Sequence, residues 1–331
     1  MAAIEDPSES SLKNKKEKEE KKESPALDAR RSLLGRTEHH LYVLFRDYYT
    51  WEKCWYVLRN RRLVPIPSLS TRGTFIAAGS KIYAFGGDSV YLTTAVSIEC
   101  TSQSQTVKPL PSMPYMLTRA ASIIDGKIYV SGNCDYDGVK VSMVVFNTET
   151  QMWEPEIIEP DIKVGAQIRY SLVMGDKIYI ADYYNSVFYD PKERTWGRDE
   201  MLDSNKWMLA DACVLDDVLY YYDRTENCLR AYDPKKRCWG VVNGLDDLLA
   251  KTRGSLSQAE AVSYCGKLAL FFLKKVVRRP EGEIWCAEIS LRRRQGGEIW
   301  GKVEWCHHVL GTKYISPSRC ACAFKSLPVM L

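Results

Sequence analysis

The chain has 331 residues, of which 45% are hydrophobic and 11% aromatic, proportions typical of a packed globular protein rather than a disordered one. Its formal net charge of +4 is small for this length, so neither nucleic acid nor a membrane surface is favoured as the main partner. No apolar stretch is long enough to span a bilayer, and the N-terminus shows no secretory signal.

Eleven cysteines are spread along the sequence, and none forms a Cys-x-x-Cys pair. Cys320 and Cys322 have neither the spacing of metal ligands nor histidines nearby. We therefore predict reduced thiols that pack as small apolar side chains, in a protein of the cytoplasm or the nucleus.

The first 25 residues carry no apolar period, and Lys13–Glu23 reads KNKKEKEEKKE. A mixed-charge run of this kind has nothing to bury, so residues 1–25 are predicted to be a disordered charged tail. The alternative is a nuclear-import signal, which the interleaved glutamates do not favour.

Leu41–Leu58 reads LYVLFRDYYTWEKCWYVL, two apolar-rich segments around a polar turn, and this pattern predicts a β-hairpin. A different strand–turn–strand motif then recurs five times, as in GSKIYAFGG, DGKIYVSG and GDKIYIAD. The third positions of the five copies lie between 41 and 50 residues apart, at Lys81, Lys127, Lys177, Val218 and Lys267. A period in this range indicates an array of repeated supersecondary units.

A second motif follows three of these copies, with an apolar strand, an Asx-containing polar turn and a tryptophan. The tryptophans are Trp153, Trp196 and Trp239, at steps of 43 residues. Each period therefore contains two hairpins, and four short antiparallel strands per period predict the blade of a β-propeller. Between the fourth and fifth copies, helical spacing of leucines in Gly244–Gly254 predicts a short helix.

Ser318–Val329 reads SRCACAFKSLPV and resembles a first hairpin with no second hairpin behind it. Leu41–Leu58 resembles a second hairpin with no first. Together they would complete one composite blade from both ends of the chain and leave no open inner edge. We therefore predict an all-β fold over residues 41–331, a six-bladed β-propeller with four antiparallel strands per blade.

The repeat resembles the kelch repeat, in which paired glycines after a strand are followed by a Tyr-Asp-type pair and then by tryptophan. The positions of this sequence that match the motif are Gly86, Gly87, Gly132, Trp153, Tyr189, Trp196, Tyr232 and Trp239. The resemblance implies a galactose-oxidase-like propeller and a structural role for these residues. We expect the tryptophans to lie on outer strands and to pack between neighbouring blades.

Ser24–Glu38 reads SPALDARRSLLGRTE and resembles the junction between F-box and propeller in plant F-box/kelch-repeat proteins. The charged residues ahead of Ser24 do not resemble an F-box, so residues 26–40 are interpreted as a remnant of that junction. In this family the propeller selects a target protein and the F-box joins a Skp-type adaptor in a cullin ubiquitin ligase. The resemblance thus implies substrate recognition for ubiquitination, with a stand-alone binding protein or competitor as the alternative.

Residues suited to catalysis are few. The four histidines form two adjacent pairs, His39–His40 and His307–His308, and neighbours on a strand point to opposite faces. A four-histidine metal site would require both pairs to share the composite blade. No phosphate-binding loop and no Gly-x-Ser-x-Gly motif is present. We predict no enzyme and no cofactor, with a propeller enzyme or a metal-binding specifier protein as the minor alternative.

Binding of a target protein is the favoured function. In a propeller, loops between the second and third strands share a face with loops that lead into the next blade, and loops on a rigid scaffold commonly bind partners. The residues predicted for this face are Asp88, Tyr91, Tyr115, Arg119, Asp135, Tyr136, Arg169, Tyr183, Tyr184, Trp207, Arg224 and Lys275. Arginine, tyrosine and tryptophan dominate interface energies. The alternative is that the tyrosines are wedged between blades and the arginines pair locally.

Overall fold

The computed structural model describes residues 39–46, 53–67, 69, 71–86, 93–101, 104–114, 117–133, 141–165, 168–205, 207, 212–252, 259–275, 282–311 and 323–330. The chain divides into two units, Met1–Glu38 and His39–Leu331, and every described residue belongs to the second. The predicted tail lies outside the described residues, as does the predicted junction up to residue 38. Within the described residues, no helix has the length and apolar character needed to cross a membrane.

The described strands form six groups of four antiparallel strands. Three N-terminal strands, β1 (His39–Arg46), β2 (Lys53–Arg59) and β3 (Arg62–Ile66), belong to a composite blade. The first blade contains β4 (Thr74–Ala78), β5 (Lys81–Phe85), β6 (Ala95–Cys100) and β7 (Gln105–Pro109). The second contains β8 (Leu117–Ile124), β9 (Lys127–Asn133), β10 (Val141–Asn147) and β11 (Met152–Ile158). The third contains β12 (Tyr170–Met174), β13 (Lys177–Ala181), β14 (Ser186–Asp190) and β15 (Thr195–Gly197).

The fourth and fifth blades follow, each preceded by a short helix. Helix α1 (Glu200–Asp203) leads into β16 (Cys213–Leu215), β17 (Val218–Asp223), β18 (Cys228–Asp233) and β19 (Cys238–Asn243). Helix α2 (Asp246–Thr252) confirms the helix predicted in Gly244–Gly254 and leads into β20 (Glu260–Tyr264), β21 (Lys267–Lys275), β22 (Gly282–Arg293) and β23 (Ile299–Gly311). The last strand is β24 (Ala323–Met330).

The two ends of the chain meet in one sheet of order β24-β1-β2-β3, which confirms the predicted composite blade. The division differs from the predicted two strands plus two, because the N-terminal segment supplies three strands and the C-terminal segment one. The unpredicted strand is β3, joined to β2 by a tight turn in which Asn60 and Arg61 both have positive φ. Pro65 lies in β3, where its missing N–H is tolerated because β3 is the outermost strand.

The first strands of the six groups, β24, β4, β8, β12, β16 and β20, contact one another in sequence, and β20 contacts β24 to close the ring. This is the arrangement of a β-propeller, and it confirms the predicted fold class. The buried apolar side chains form six clusters, each shared by two neighbouring blades. The hydrophobic core therefore lies between the blades.

The fourth and fifth blades are joined at their outer edges. Strand β19 pairs with β23 in parallel through Val242 with Ile299 and Asn243 with Trp300, so the two blades form one eight-stranded sheet. The Nη1 atom of Arg293 donates to Oδ2 of Asp233 across the same boundary at 2.7 Å.

The predicted Asx turns between third and fourth strands are present. The Oδ1 atoms of Asn147, Asp190 and Asp233 each accept hydrogen bonds from the backbone N–H groups two and three residues later. The histidine pairs are separated, because His39–His40 begin β1 whereas His307–His308 lie on β23 of the fifth blade. This placement does not meet the requirement of a four-histidine metal site, which needs both pairs in the composite blade.

Candidate functional site

Several residues predicted for the binding face lie outside the described part of the chain: Asp88, Tyr91, Tyr115, Asp135 and Tyr136. The paired-glycine position Gly87 is also outside it, and Lys275 is described only as part of the backbone of β21. The remaining residues are Arg119, Arg169, Tyr183, Tyr184, Trp207 and Arg224.

The third blade brings three of the predicted residues together. The guanidinium carbon of Arg169 lies 4.7 Å from the centroid of the Tyr183 ring, a cation–π contact that orients both side chains. Tyr183 is 44% exposed and Tyr184 is 83% exposed. Arg169 is itself exposed, and its backbone N–H is bound to the carbonyl of Ala181 in the neighbouring strand.

The turn between β13 and β14 fixes these tyrosines. Oδ1 of Asp182 accepts hydrogen bonds from the backbone N–H groups of Tyr184 and Asn185, at 2.6 and 2.7 Å. The N–H of Asp182 donates to the carbonyl of Asn185, which closes the turn. An Asx turn of this kind holds the backbone without using the side chains that follow the aspartate, so neither tyrosine ring is needed to hold the turn.

A pocket of about 270 Å³ lies beside this turn, where three connecting segments meet. Its lining residues are Lys163, Val164, Gly165, Ile180, Asp182, Asn185, Val187 and Arg198. Gly165 permits this packing, because a Cβ atom at that position would overlap the carboxylate of Asp182. The Nη2 atom of Arg198 donates to the carbonyl oxygen of Lys163 at 2.6 Å and ties two of the segments together.

Two further predicted arginines lie apart from this cluster. Arg119 is exposed on β8, and its Nε atom donates to Oδ1 of Asn133 at 3.2 Å. Arg224 is exposed in the turn between β17 and β18. Arg119 thus makes the local pairing that the alternative interpretation foresaw.

Asp223, which precedes Arg224 in that turn, has its pKa lowered by its hydrogen bonds. Burial of Asp223 opposes its ionisation, but hydrogen bonds from Arg230 and from two backbone N–H groups outweigh it and hold the pKa of Asp223 below its usual value. The Nε–Oδ2 distance to Arg230 is 2.7 Å.

The placement of Trp207 corrects one prediction. Its side chain is 0% exposed and packs in the cluster between the third and fourth blades, with its ring centroid 5.7 Å from that of Tyr170. A large ring of this kind gains more from filling the space between blades than from exposure to water. Trp207 therefore presents no side-chain surface to a partner.

The residues of the repeat motif lie at blade boundaries. Trp153, Trp196 and Trp239 lie on outermost strands and pack against the clusters shared with the preceding blades. Tyr189 and Tyr232 are buried beside Trp196 and Trp239. Gly132 is buried within β9. Gly86 has a φ of +70°, and a Cβ atom there would lie 2.7 Å from Oγ1 of Thr118 in the next blade.

Sequence reasoning did not single out Lys163, Gly165 or Arg198. Lys163 and Arg198 are 35 positions apart, in two different connections, and neither belongs to a repeated motif. Their proximity depends on how the third blade stands between those connections. Among the described residues, no group of three or more His, Cys, Asp or Glu side chains is arranged to hold a metal ion. The arrangement at the third blade is suited to binding: exposed aromatic rings, an oriented guanidinium and a charged pocket.

Comparison with known proteins agrees with the propeller fold. Residues 41–310 match the family model described as "FKB95, Kelch-repeats domain". The F-box/kelch-repeat protein At4g38940 of Arabidopsis thaliana is 41% identical over 315 residues, covering 88% of this chain and 82% of that protein. The F-box/kelch-repeat protein At4g39240 of the same organism is 37% identical, over 88% of this chain and 78% of that protein.

Among solved structures, that of YjhT aligns at 11% identity with a TM-score of 0.43, over 72% of this chain and 94% of that chain. The family assignment depends on the family model and on the two Arabidopsis relatives. On that evidence, the chain belongs to the F-box/kelch-repeat protein family and carries that family's kelch-repeat β-propeller.

Proposed function

We propose that this chain recognises a target protein through the connecting segments around the third blade, as the substrate-recognition part of an SCF-type cullin ubiquitin ligase. The observation that carries the proposal is the turn of Tyr183 and Tyr184, which exposes two aromatic rings on a backbone fixed by Asp182. Large exposed rings on a rigid turn offer contact area at a low entropic cost.

The chemistry of the surrounding residues supports a protein as the ligand. Arg169 is already oriented by Tyr183, and arginine and tyrosine are the residue types enriched where binding energy concentrates. The rigid position of this turn between two blade-to-blade connections favours recognition without a large rearrangement.

The ligase part of the proposal rests on the family. The relatives carry the name F-box/kelch-repeat protein, and the chain covers most of their length. A Skp-type adaptor is the partner expected of such a protein. Localisation to the cytoplasm or the nucleus belongs to the same proposal, and the eight cysteines of the described residues, all free thiols, support it.

The target-binding part is tested by affinity capture from an Arabidopsis thaliana extract with the full chain, a Tyr184→Ala variant and a Lys192→Ala variant. Lys192 is exposed in the turn between β14 and β15, on the opposite face, and its side chain pairs with Asp176. It serves as the matched control. We expect proteins that are captured by the wild type and by Lys192→Ala and lost with Tyr184→Ala. Equal capture by all three would overturn the assignment of this face.

The ligase part is tested by co-precipitation with a Skp-type adaptor and a cullin. The full chain is compared with a version that carries a relative's F-box ahead of Ser24. Binding by the full chain supports the ligase role. Binding by the extended version alone would overturn it and identify the chain as a recognition module, or competitor, that holds a target without delivering it.

A further inference from the structure

We propose that the pocket between Lys163, Asp182 and Arg198 receives an anionic side chain of the bound target, a carboxylate or a phosphorylated residue. This inference rests on the proposed function, because it assigns a chemical class to one residue of the partner. It goes beyond family membership, since none of the pocket's cations belongs to the repeat motif.

The charges of the lining favour an anion. Lys163 and Arg198 are two exposed cations, and Asp182 is the single carboxylate among the lining residues. Oδ1 of Asp182 is already occupied by the N–H groups of Tyr184 and Asn185, so this oxygen is directed to the turn and not to a ligand. A guest that enters the pocket therefore meets a net positive charge.

The guanidinium group of Arg198 is already held in position to bind an anionic side chain. Its Nη2 atom donates to the carbonyl of Lys163, which fixes the side chain while using one of its five N–H donors. The remaining donors match a carboxylate or a phosphate, for which the planar guanidinium group has complementary geometry. Prior positioning reduces the entropy lost on binding.

The size of the pocket and its apolar lining limit which side chain it can hold. A volume of about 270 Å³ is at the small end for ligand pockets and suits one side chain rather than a cofactor. Ile180 and Val187 line it and are almost fully buried, at 1% and 3% exposure. An acidic side chain would place its methylene groups on these apolar residues and its charge at the two cations.

The walls of the pocket and the tyrosine turn are one structure. Asp182 and Asn185 line the pocket, and Tyr183 and Tyr184 lie between them in the sequence. A peptide segment anchored by an anionic side chain would therefore pass beside the exposed ring of Tyr184. This continuity links the pocket to the proposed binding surface.

The test is a titration of the full ¹⁵N-labelled chain, followed by TROSY NMR, with three probes of matched backbone: acetyl-Gly-Glu-Gly-amide, acetyl-Gly-phosphoserine-Gly-amide and acetyl-Gly-Gln-Gly-amide. We expect the glutamate or the phosphoserine probe to shift the amide signals of Gly165, Asp182, Asn185 and Arg198. The glutamine probe is expected to bind about three- to tenfold more weakly, and added salt should reduce the difference. The tighter of the two anionic probes identifies the source of the charge.

Variants locate the effect. Arg198→Gln and Lys163→Gln should each weaken the anionic probe by about three- to tenfold, whereas Lys192→Gln on the opposite face should leave its binding unchanged. Equal binding of the glutamine probe, or no shift at the pocket amides, would overturn the inference.

The outcome is separable from that of the proposed function. An unresponsive pocket together with loss of captured proteins in Tyr184→Ala rejects the anion site and retains target recognition by this face. A responsive pocket together with unchanged capture supports the anion site and rejects the proposed recognition surface.

Discussion

The turns that join the second and third strands of the third and fourth blades use the same backbone device and display different side chains. Asp182 and Asp223 each accept two backbone N–H groups through Oδ1. After Asp182 come Tyr183 and Tyr184, whereas after Asp223 come arginine, threonine and glutamate. The comparison teaches that the aspartate sets the path of the turn, while the residues that follow it determine what the turn can contact.

The two turns also differ in how firmly they are held. Asp223 accepts a further hydrogen bond from Arg230, and Asn227 accepts one from the hydroxyl of Tyr222 at 2.6 Å. The turn of the fourth blade is thus tied to its own strands by side chains. The turn of the third blade instead contacts the segments that surround the pocket.

The largest expected effect comes from removing a side chain that packs the third blade against the second. Trp196→Ala empties a site that packs against Tyr189 at a centroid distance of 5.1 Å and against the second blade. We expect a loss of about 3 kcal/mol in the free energy of unfolding. Urea denaturation followed by circular dichroism measures it, and an unchanged midpoint would contradict the proposed role of the tryptophan.

Replacing either aspartate should lower the free energy of unfolding by less than Trp196→Ala does, and by different amounts for the two residues. Asp223→Ala removes two backbone hydrogen bonds and leaves Arg230 without its 2.7 Å partner, so we expect a loss of about 2 kcal/mol. Asp182→Ala removes only the backbone hydrogen bonds, with an expected loss of about 1 kcal/mol. The same denaturation experiment compares them, and an equal loss would show that the ion pair adds nothing to the fourth blade's turn.

The role in binding of the side chains that follow each aspartate is tested by replacing one of them in each turn. Tyr184→Ala should weaken binding of a captured target about tenfold, because it removes a large exposed ring, and should change stability by less than about 0.5 kcal/mol. Arg224→Ala in the equivalent turn is the matched control. Surface plasmon resonance with the captured target measures both, and similar losses would extend the binding surface to the fourth blade.

The smallest effect is a dependence on pH. The folded state holds the pKa of Asp223 below its usual value, so this group contributes stability above its unfolded pKa of about 3.9 and loses that contribution as pH falls through the folded pKa. Asp223→Asn should therefore lose part of the stability difference between neutral and acidic pH. Acid titrations of wild type and variant measure it, and parallel curves would show that Asp223 is not linked to folding.

The features that the sequence predicts most directly are those that repeat. The strand motif and the tryptophan spacing define blades because each blade must bury its apolar faces against two neighbours. The third N-terminal strand escaped prediction, because Pro65 and exposed residues obscure the alternation of an outermost strand. The prediction for Trp207 was wrong, because a tryptophan in a connecting segment can either face water or fill the space between two blades. Only the packing of the blades decides between these positions.

The pocket could not be predicted from the sequence for a different reason. Tyr183 and Tyr184 could be assigned to the face because they follow a recognisable turn. Lys163 and Arg198 carry no such signal, since each is an isolated charged residue in a connection of its own. They meet because the connection into the third blade and the connection out of it come together beside the β13–β14 turn, and only the folded blade creates that proximity.

The parallel pairing of β19 with β23 bears on how the propeller fluctuates. Because Val242 and Asn243 are bonded to the fifth blade, the outer edge of the fourth cannot fray without disrupting its neighbour. The two blades should open as one cooperative unit in native-state hydrogen exchange, whereas the third blade should exchange sooner and independently, because its short outer strand β15 pairs with β14 and ends the described sheet. The early opening would then be confined to the outer edge at β15, whereas the tyrosine turn, which joins β13 to β14 and is held by Asp182, would stay ordered.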